Sequence, residues 1–159
     1  MTQANRIIVG LGTTGLSCAR YLHSLGESFQ IVDSRMNPPG LAQLQTQFPE
    51  VQVTLGEFSA ELLCSASELI VSPGISIQSP AIEAARAAGV AISGDIDIFS
   101  KAVSKPVVAV TGSNGKSTVV TLLAAMATKA GLRVGLGGNL DGAQAAPALD
   151  LLRQDEKDL

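Results

Sequence analysis

The densest concentration of chemistry-bearing residues in this 159-residue chain is Thr111-Gly112-Ser113-Asn114-Gly115-Lys116-Ser117-Thr118. It follows the apolar run Pro106-Val107-Val108-Ala109-Val110 and precedes a long, mostly apolar stretch, the strand, loop and helix order of a loop that encloses phosphate. Successive backbone N–H groups in such a loop wrap the oxygens of a nucleoside triphosphate, and the helix start adds positive dipole. Gly112, Ser113, Asn114, Gly115, Lys116, Ser117 and Thr118 are therefore the expected triphosphate-binding residues. Lys116 is the candidate catalytic charge against the outer phosphates, and the Ser117 hydroxyl is the candidate metal ligand. The usual pattern has a glycine five positions before Gly115, where this chain has Val110. That departure argues against a standard GTPase or AAA-type site.

A second glycine turn stands near the front. Gly10-Leu11-Gly12-Thr13-Thr14-Gly15 fits G-x-G-x-x-G, follows a β-type run, opens a helical stretch and is succeeded by Asp33 at the end of the next β-type run. The glycines permit a tight turn and close backbone approach, and the helix start offers N–H donors to a phosphate. Taken alone this is the fingerprint of a dinucleotide site, and a nicotinamide-binding domain is one alternative. A plain turn that uses glycine only for packing is another. Arg35 is placed either to grip an anionic group or to lie solvated on the surface.

The elements that would hold these turns alternate between short β-branched runs and helical stretches, the pattern of βαβ units in a parallel sheet covered on both faces. Strands are expected at 6–9, 29–32, 51–55, 68–71 and 90–92. Helices are expected at 16–25, 41–48 and 60–64, and again from Pro80, with Ser79 as its cap, to a stop at Gly89. A further helix follows Gly94. The second unit is expected to contain a strand at 106–110, a helix at 117–130, a strand at 133–136 and a short helix at 147–153. The fold class is thus α/β, with a domain boundary expected at 94/95.

Composition narrows the function classes. With 46% hydrophobic residues the chain can bury a real core. A net charge of -3, four Phe, one Tyr and no Trp leave neither the basic footprint nor the rings that nucleic-acid binding requires. Met1 to Arg6 lack the pattern of a signal peptide and no run approaches a membrane span, so a cytoplasmic chain without a membrane partner is expected. Cys18 and Cys64 form no metal-type or redox-type pair and are expected in apolar surroundings. His23 falls near the end of the first helix, where a dipole or surface role is expected, and Asp95 and Asp97 are expected to cap the helix after Gly94 rather than to bind metal.

The two turns together resemble the Mur ligase family, in which a sugar-nucleotide domain precedes an ATPase domain carrying a Thr-Gly-x-Asn-Gly-Lys-[Ser/Thr] loop. The similar blocks are GLGTTGLS from Gly10, VDSRMNPPG from Val32, SPGI from Ser72, GDIDIF from Gly94, TGSNGKST from Thr111 and GGN from Gly137. The Arg-x-x-Pro-Pro and Ser-Pro-Gly-Ile blocks favour the family's D-glutamate-adding branch over another Mur-type or folate-type ligase. The resemblance implies a Rossmann-like domain at 1–94 that binds UDP-N-acetylmuramoyl-L-alanine, followed at 95–159 by the first part of a P-loop-type α/β ATPase domain. It implies that Thr13 and Thr14 face the diphosphate, that Asp33, Ser34 and Arg35 contact the uridine, that Ser72, Pro73 and Gly74 line the crevice and that Asn139 touches the muramoyl part. ATP and Mg2+, with Ser117 as metal ligand, and D-glutamate are the implied co-substrates of an amide ligation in peptidoglycan synthesis. The intact enzyme is expected to be a monomer, and these 159 residues alone are expected to self-associate and not to ligate D-glutamate. Residues 140–146 make the interval between Asn139 and Pro147 longer than the family's.

Overall fold

The computed structural model describes residues 5–138 and 146–155. The first part is a five-stranded parallel sheet in the order β3-β2-β1-β4-β5, made of β1 (Arg6–Val9), β2 (Phe29–Asp33), β3 (Val53–Leu55), β4 (Glu68–Val71) and β5 (Ala91–Ser93). The register runs Val9 against Val32 on one side of β1 and against Val71 on the other. The chain winds outward from β1 to β3, then crosses back to lay β4 on β1's free side. That reversal splays the loops after β1 and β4 and leaves a crevice at the carboxyl ends of the strands.

Strand alternation assigns two cores. On one face Ile8, Ile31 and Ile70 pack with Leu16, Cys18, Ala19 and Leu22 of α1 (Thr13–Ser24) and Leu44 of α2 (Leu41–Gln47). On the other, Ile7, Val9, Leu69 and Val71 pack with Leu63 of α3 (Ala60–Cys64) and with Ala81, Ile82 and Ala85 of α4 (Pro80–Ala87). Each face is apolar because each is covered, as a parallel sheet requires. Pro80 opens α4 as expected, but the Ser79 side chain makes no capping bond. At the sheet's amino end Arg6 pairs with Glu27 and, at 2.9 Å, with Glu68, whose other oxygen accepts the Ser93 hydroxyl at 2.8 Å.

Core packing continues past residue 94. The helix α5 (Asp95–Ala102) starts where Asp97 accepts the Gly94 N–H at 2.7 Å, the capping role expected of that residue. Further along, α7 (Ala148–Asp155) lies against α1 and α5, with Leu149 fully buried and Ile98, Phe99 and Leu152 packed around it. Arg20 of α1 holds Asp150 through a two-pronged ion pair, one bond of which is 2.9 Å. Burial, then the charges of Asp95 and Asp150, push the Cys18 thiol up to about 12, so it stays protonated.

The second unit departs from expectation in one respect. The helix α6 (Lys116–Lys129) forms as the sequence predicts, but the strands expected at 106–110 and 133–136 do not; both segments lie outside regular structure. A strand exists through ladder bonds to a neighbour, and among the described residues no strand lies beside either segment. Val107, Val108 and Val134 remain exposed, as do Val119, Leu122, Leu123 and Met126 on α6, which buries no residue. One parallel bridge, Gly137 to Ala146, is the only pairing described there. No helix among the described residues is long and apolar enough to cross a membrane.

Candidate functional site

The turn after β1 is held by its own backbone. The Gly10 N–H donates to the Val32 carbonyl at 2.8 Å, and Gly10 takes a φ of +100°, a conformation side chains resist. A Cβ on Gly10 would meet Ser72 at 3.0 Å, and one on Gly15 would stand 2.0 Å from the Gly10 carbonyl oxygen. The first turn of α1 can therefore tuck beneath the glycine turn only if both positions are glycine. Leu11 is fixed at both ends: its N–H donates to Asp33 Oδ2 at 2.7 Å, and its carbonyl accepts the Gly40 N–H at 3.1 Å.

With Leu11 committed, the donors left for a ligand are those of the helix start. The first N–H groups of a helix have no intrahelical acceptor, and here the first backbone bond back to the turn is Leu16 to the Gly12 carbonyl, at 3.0 Å. Thr13 is exposed and Thr14 half-buried, no acidic residue sits in the first turn, and Gly12 faces open space. This is an anion-accepting arrangement at a topological switch point.

Asp33, Ser34 and Arg35 come together beside it. Asp33 is buried, whereas Ser34 and Arg35 are exposed. Arg35 donates from Nε to Oδ1 at 2.8 Å and from Nη2 to Oδ2 at 2.6 Å, and its backbone N–H reaches Oδ1 at 2.8 Å. Burial alone would raise the Asp33 pKa, but the Arg35 side-chain bond, the Leu11 and Arg35 backbone bonds and the Arg35 charge outweigh it and hold the carboxyl below its usual range. Ser72 closes the other side, its hydroxyl donating to the Gly10 carbonyl at 3.2 Å, while Pro73 and Gly74 are exposed in the turn that the Ile75 N–H closes on the Ser72 carbonyl. Asn139 lies outside the described residues.

Sequence patterns missed Gly40 and Leu11. Gly40 was legible only as the last residue of the VDSRMNPPG block, yet a Cβ there would press within 3.0 Å of both the Leu11 carbonyl and Leu16. A separate open cavity of about 430 Å³ lies between the ends of β4 and β5 and α4, lined by Val71, Arg86, Ser93 and Asp97 among others. None of the expected site residues lines it.

The turn before α6 is built differently. Gly112 has φ +148° and Gly115 φ +75°, the latter the left-handed residue that swings the chain into the helix. Lys116 folds its ammonium back over the loop, donating to the Gly112 carbonyl and, at 3.3 Å, to the Ser113 carbonyl. Gly112 to Thr118 are all exposed, and the first turn of α6 holds no acidic residue. The loop thus gathers N–H groups, Lys116 and the Ser117 hydroxyl at one helix start. No cluster of three or more His, Cys, Asp or Glu able to hold a metal occurs among the described residues.

Comparison with known proteins bears on the family and the fold. Residues 4–94 match the family described as "Mur ligase MurD-like, N-terminal domain". The chain is 55% identical over 150 residues to the UDP-N-acetylmuramoylalanine--D-glutamate ligase of Pseudomonas aeruginosa, covering 94% of this chain and 33% of that protein. It is 52% identical over 156 residues to the enzyme of the same name from Nitrosococcus oceani, covering 98% and 34%. Among solved structures, the UDP-N-acetylmuramate:L-alanyl-gamma-D-glutamyl-meso-diaminopimelate ligase of Neisseria meningitides superposes with a TM-score of 0.58 at 24% identity, over 92% of this chain and 47% of that one. A pseudomurein peptide ligase type C from Methanothermus fervidus gives 0.53 at 20% identity, over 96% and 36%. The structural likenesses bear on the fold alone. The chain spans about a third of the length of the curated relatives it matches.

Proposed function

Since the chain belongs to the Mur ligase family, with a MurD-like N-terminal domain at residues 4–94, we propose that it supplies the sugar-nucleotide cradle and the triphosphate loop of an ATP-dependent ligase. That ligase joins D-glutamate to UDP-N-acetylmuramoyl-L-alanine in the cytoplasmic stage of peptidoglycan synthesis. The observation that carries this reading is the first turn: its Leu11 peptide is locked at both ends while the N–H groups that open α1 are left to a ligand. Residues 1–94 form the sugar-nucleotide domain and residues 95–159 the opening of the ATPase domain, with α5 and α7 packed back across that boundary.

In this scheme Thr13 and Thr14 meet the diphosphate, Ser34 and Arg35 the uridine, and Pro73 and Gly74 line the crevice wall, with Asn139 assigned to the muramoyl end. The L-alanyl carboxylate attacks the γ-phosphorus of ATP, ADP leaves, and the D-glutamate amine then displaces phosphate from the acyl phosphate to form the amide. The burden on the protein is positioning and charge neutralisation. Lys116 would swing from the Gly112 and Ser113 carbonyls onto the outer phosphates, with Gly112 to Thr118 enclosing them. Magnesium, when bound with ATP, would add Lewis-acid neutralisation at oxygens adjoining the Ser117 hydroxyl.

Calorimetric titration of the 159-residue chain with UDP-muramoyl compounds of increasing peptide length, and with NADH, tests the assignment. Binding of the L-alanyl compound with no NADH binding is expected. Preference for a longer peptide would move the chain to a sibling ligase, and NADH binding in its place would overturn the reading.

A further inference from the structure

Resting on the reading that the two glycine turns serve one reaction, we propose that Arg20 is a positioning residue: its fork on Asp150 keys α7 to α1 and so sets the triphosphate loop relative to the sugar-nucleotide turn. Arg20 stands on the helix whose first turn opens the cradle, about 9 Å along its axis from Thr14. Its Nε donates to Asp150 Oδ1 at 2.9 Å and its Nη2 to Oδ2, with both side chains mostly buried.

A line of contacts leads from Asp150 to the second turn. The next residue, Leu151, closes on the segment that leaves α6: a Cβ on Gly137 would stand 2.6 Å from Leu151 Cδ1, and one on Gly135 3.4 Å from it. The Ala146 N–H donates to the Leu136 carbonyl at 3.3 Å and the Gly138 N–H to the Ala146 carbonyl at 3.2 Å, which ties the same segment to the approach to α7. At its other end the Leu132 N–H donates to the Ala127 carbonyl at 3.1 Å, fastening it to α6, which begins at Lys116. Since α6 buries no residue, its own packing does not place it, and the other covalent route, 103–115, lies outside helix and strand.

The apolar contacts of α7 cannot set this placement alone. Leu149 and Leu152, with Ile98 and Phe99 around them, supply adhesion, but apolar burial is non-directional and tolerates a slipped or rotated helix. A two-pronged guanidinium–carboxylate pair accepts one geometry. Mostly buried pairs contribute little net stability, and their best-attested use is to fix register. Arg153, on α7 itself, also approaches Asp150, at 3.7 Å. It compensates the carboxylate when Arg20 is replaced, yet it cannot register α7 on α1.

The test measures the spacing of two spin labels on the 159-residue chain, at Gln45→Cys on α2 and Ala125→Cys on α6. Both positions are exposed, and the background is Cys64→Ser, with Cys18 left buried. With Arg20 in place one narrow distance is expected. Arg20→Met and Asp150→Asn are each expected to lose it for a broad or split distribution, while the β1 amides keep their protection from hydrogen exchange. The double variant should match either single. A narrow, unshifted distance in either folded variant would overturn the proposal, because apolar packing would then suffice. A distance already broad with Arg20 in place would overturn it too. Should Arg20→Met not fold, Arg20→Lys decides: it keeps the charge without the fork, and an unchanged narrow distance there would contradict the keying. No ligand enters this measurement. Failure of the chain to bind UDP-N-acetylmuramoyl-L-alanine would therefore sink the assignment of the first turn and leave the Arg20 result standing.

Discussion

The two glycine turns offer similar chemistry on contrasting foundations. The turn at Gly10–Gly15 is clamped by Val32, Asp33, Gly40 and Ser72, sits on a sheet whose three central strands are largely buried, and presents only its outermost donors. The turn at Gly112–Ser117 has its lysine folded onto its own carbonyls, and the helix behind it buries nothing. A phosphate-type turn can thus be closed by local bonds alone, whereas bonds from neighbours distant in sequence tie the first one to the sheet. The first turn borrows them from β2 and two loops; the second receives no hydrogen bond from outside the loop and its helix among the described residues.

Substitutions in the two regions should sharpen that contrast, and the largest expected gap is in packing. Leu149→Ala removes a fully buried side chain between α7 and α1 and is expected to cost about 3 kcal/mol in denaturant unfolding. Leu122→Ala on α6, at a residue 60% exposed, is expected to stay within roughly 0.5 kcal/mol. Equal costs would mean that α6 is buried in solution, and the contrast would fail.

Next comes the backbone itself. Gly15→Ala forces a methyl against the Gly10 carbonyl and is expected to destabilise by about 2 to 3 kcal/mol, because the atom that must yield is main chain. Gly115→Ala meets open space and pays only for its left-handed φ, about 1 kcal/mol. Melting of both variants beside wild type checks the order, and a reversed order would show the first turn to be the softer of the two.

A smaller effect separates the turns by pH. The Asp33 carboxyl titrates below its ordinary 3.8 in the folded chain. Its contribution is therefore complete above that ordinary value, where both states are ionised, and is lost as pH falls through the lower folded value. Wild type and Asp33→Asn should accordingly differ in stability at pH 7 and converge in strong acid. A gap that widened on acidification would contradict the ion-paired role.

Much of this was legible in the sequence. The alternation of β-branched runs with helical stretches placed all five sheet strands and α1 to α5 within a few residues, since both periodicity and punctuation are local signals. The second glycine loop and α6 were equally plain. The strands expected at 106–110 and 133–136 were not realised, because a run such as Val107-Val108-Ala109-Val110 states a preference for a buried strand and says nothing of who pairs with it. Arg20 with Asp150, separated by most of the chain, could not be foreseen either. At the site, spacing singled out Asp33 and Arg35 but not the bond from the Leu11 N–H to that carboxylate, because no local pattern says where the Leu11 amide lies in space.

As proposed above, the first turn is a preformed cradle for a sugar-nucleotide diphosphate. Mapping amide chemical shifts as UDP-N-acetylmuramoyl-L-alanine is added to the isotope-labelled chain tests it most directly. The predicted result is saturable movement of the Gly12, Thr13, Thr14 and Gly15 amides and of the Arg35 side chain, with Leu11 nearly still and NADH without effect. Movement confined to residues outside this turn, or an NADH response at Gly12 in its place, would contradict the account.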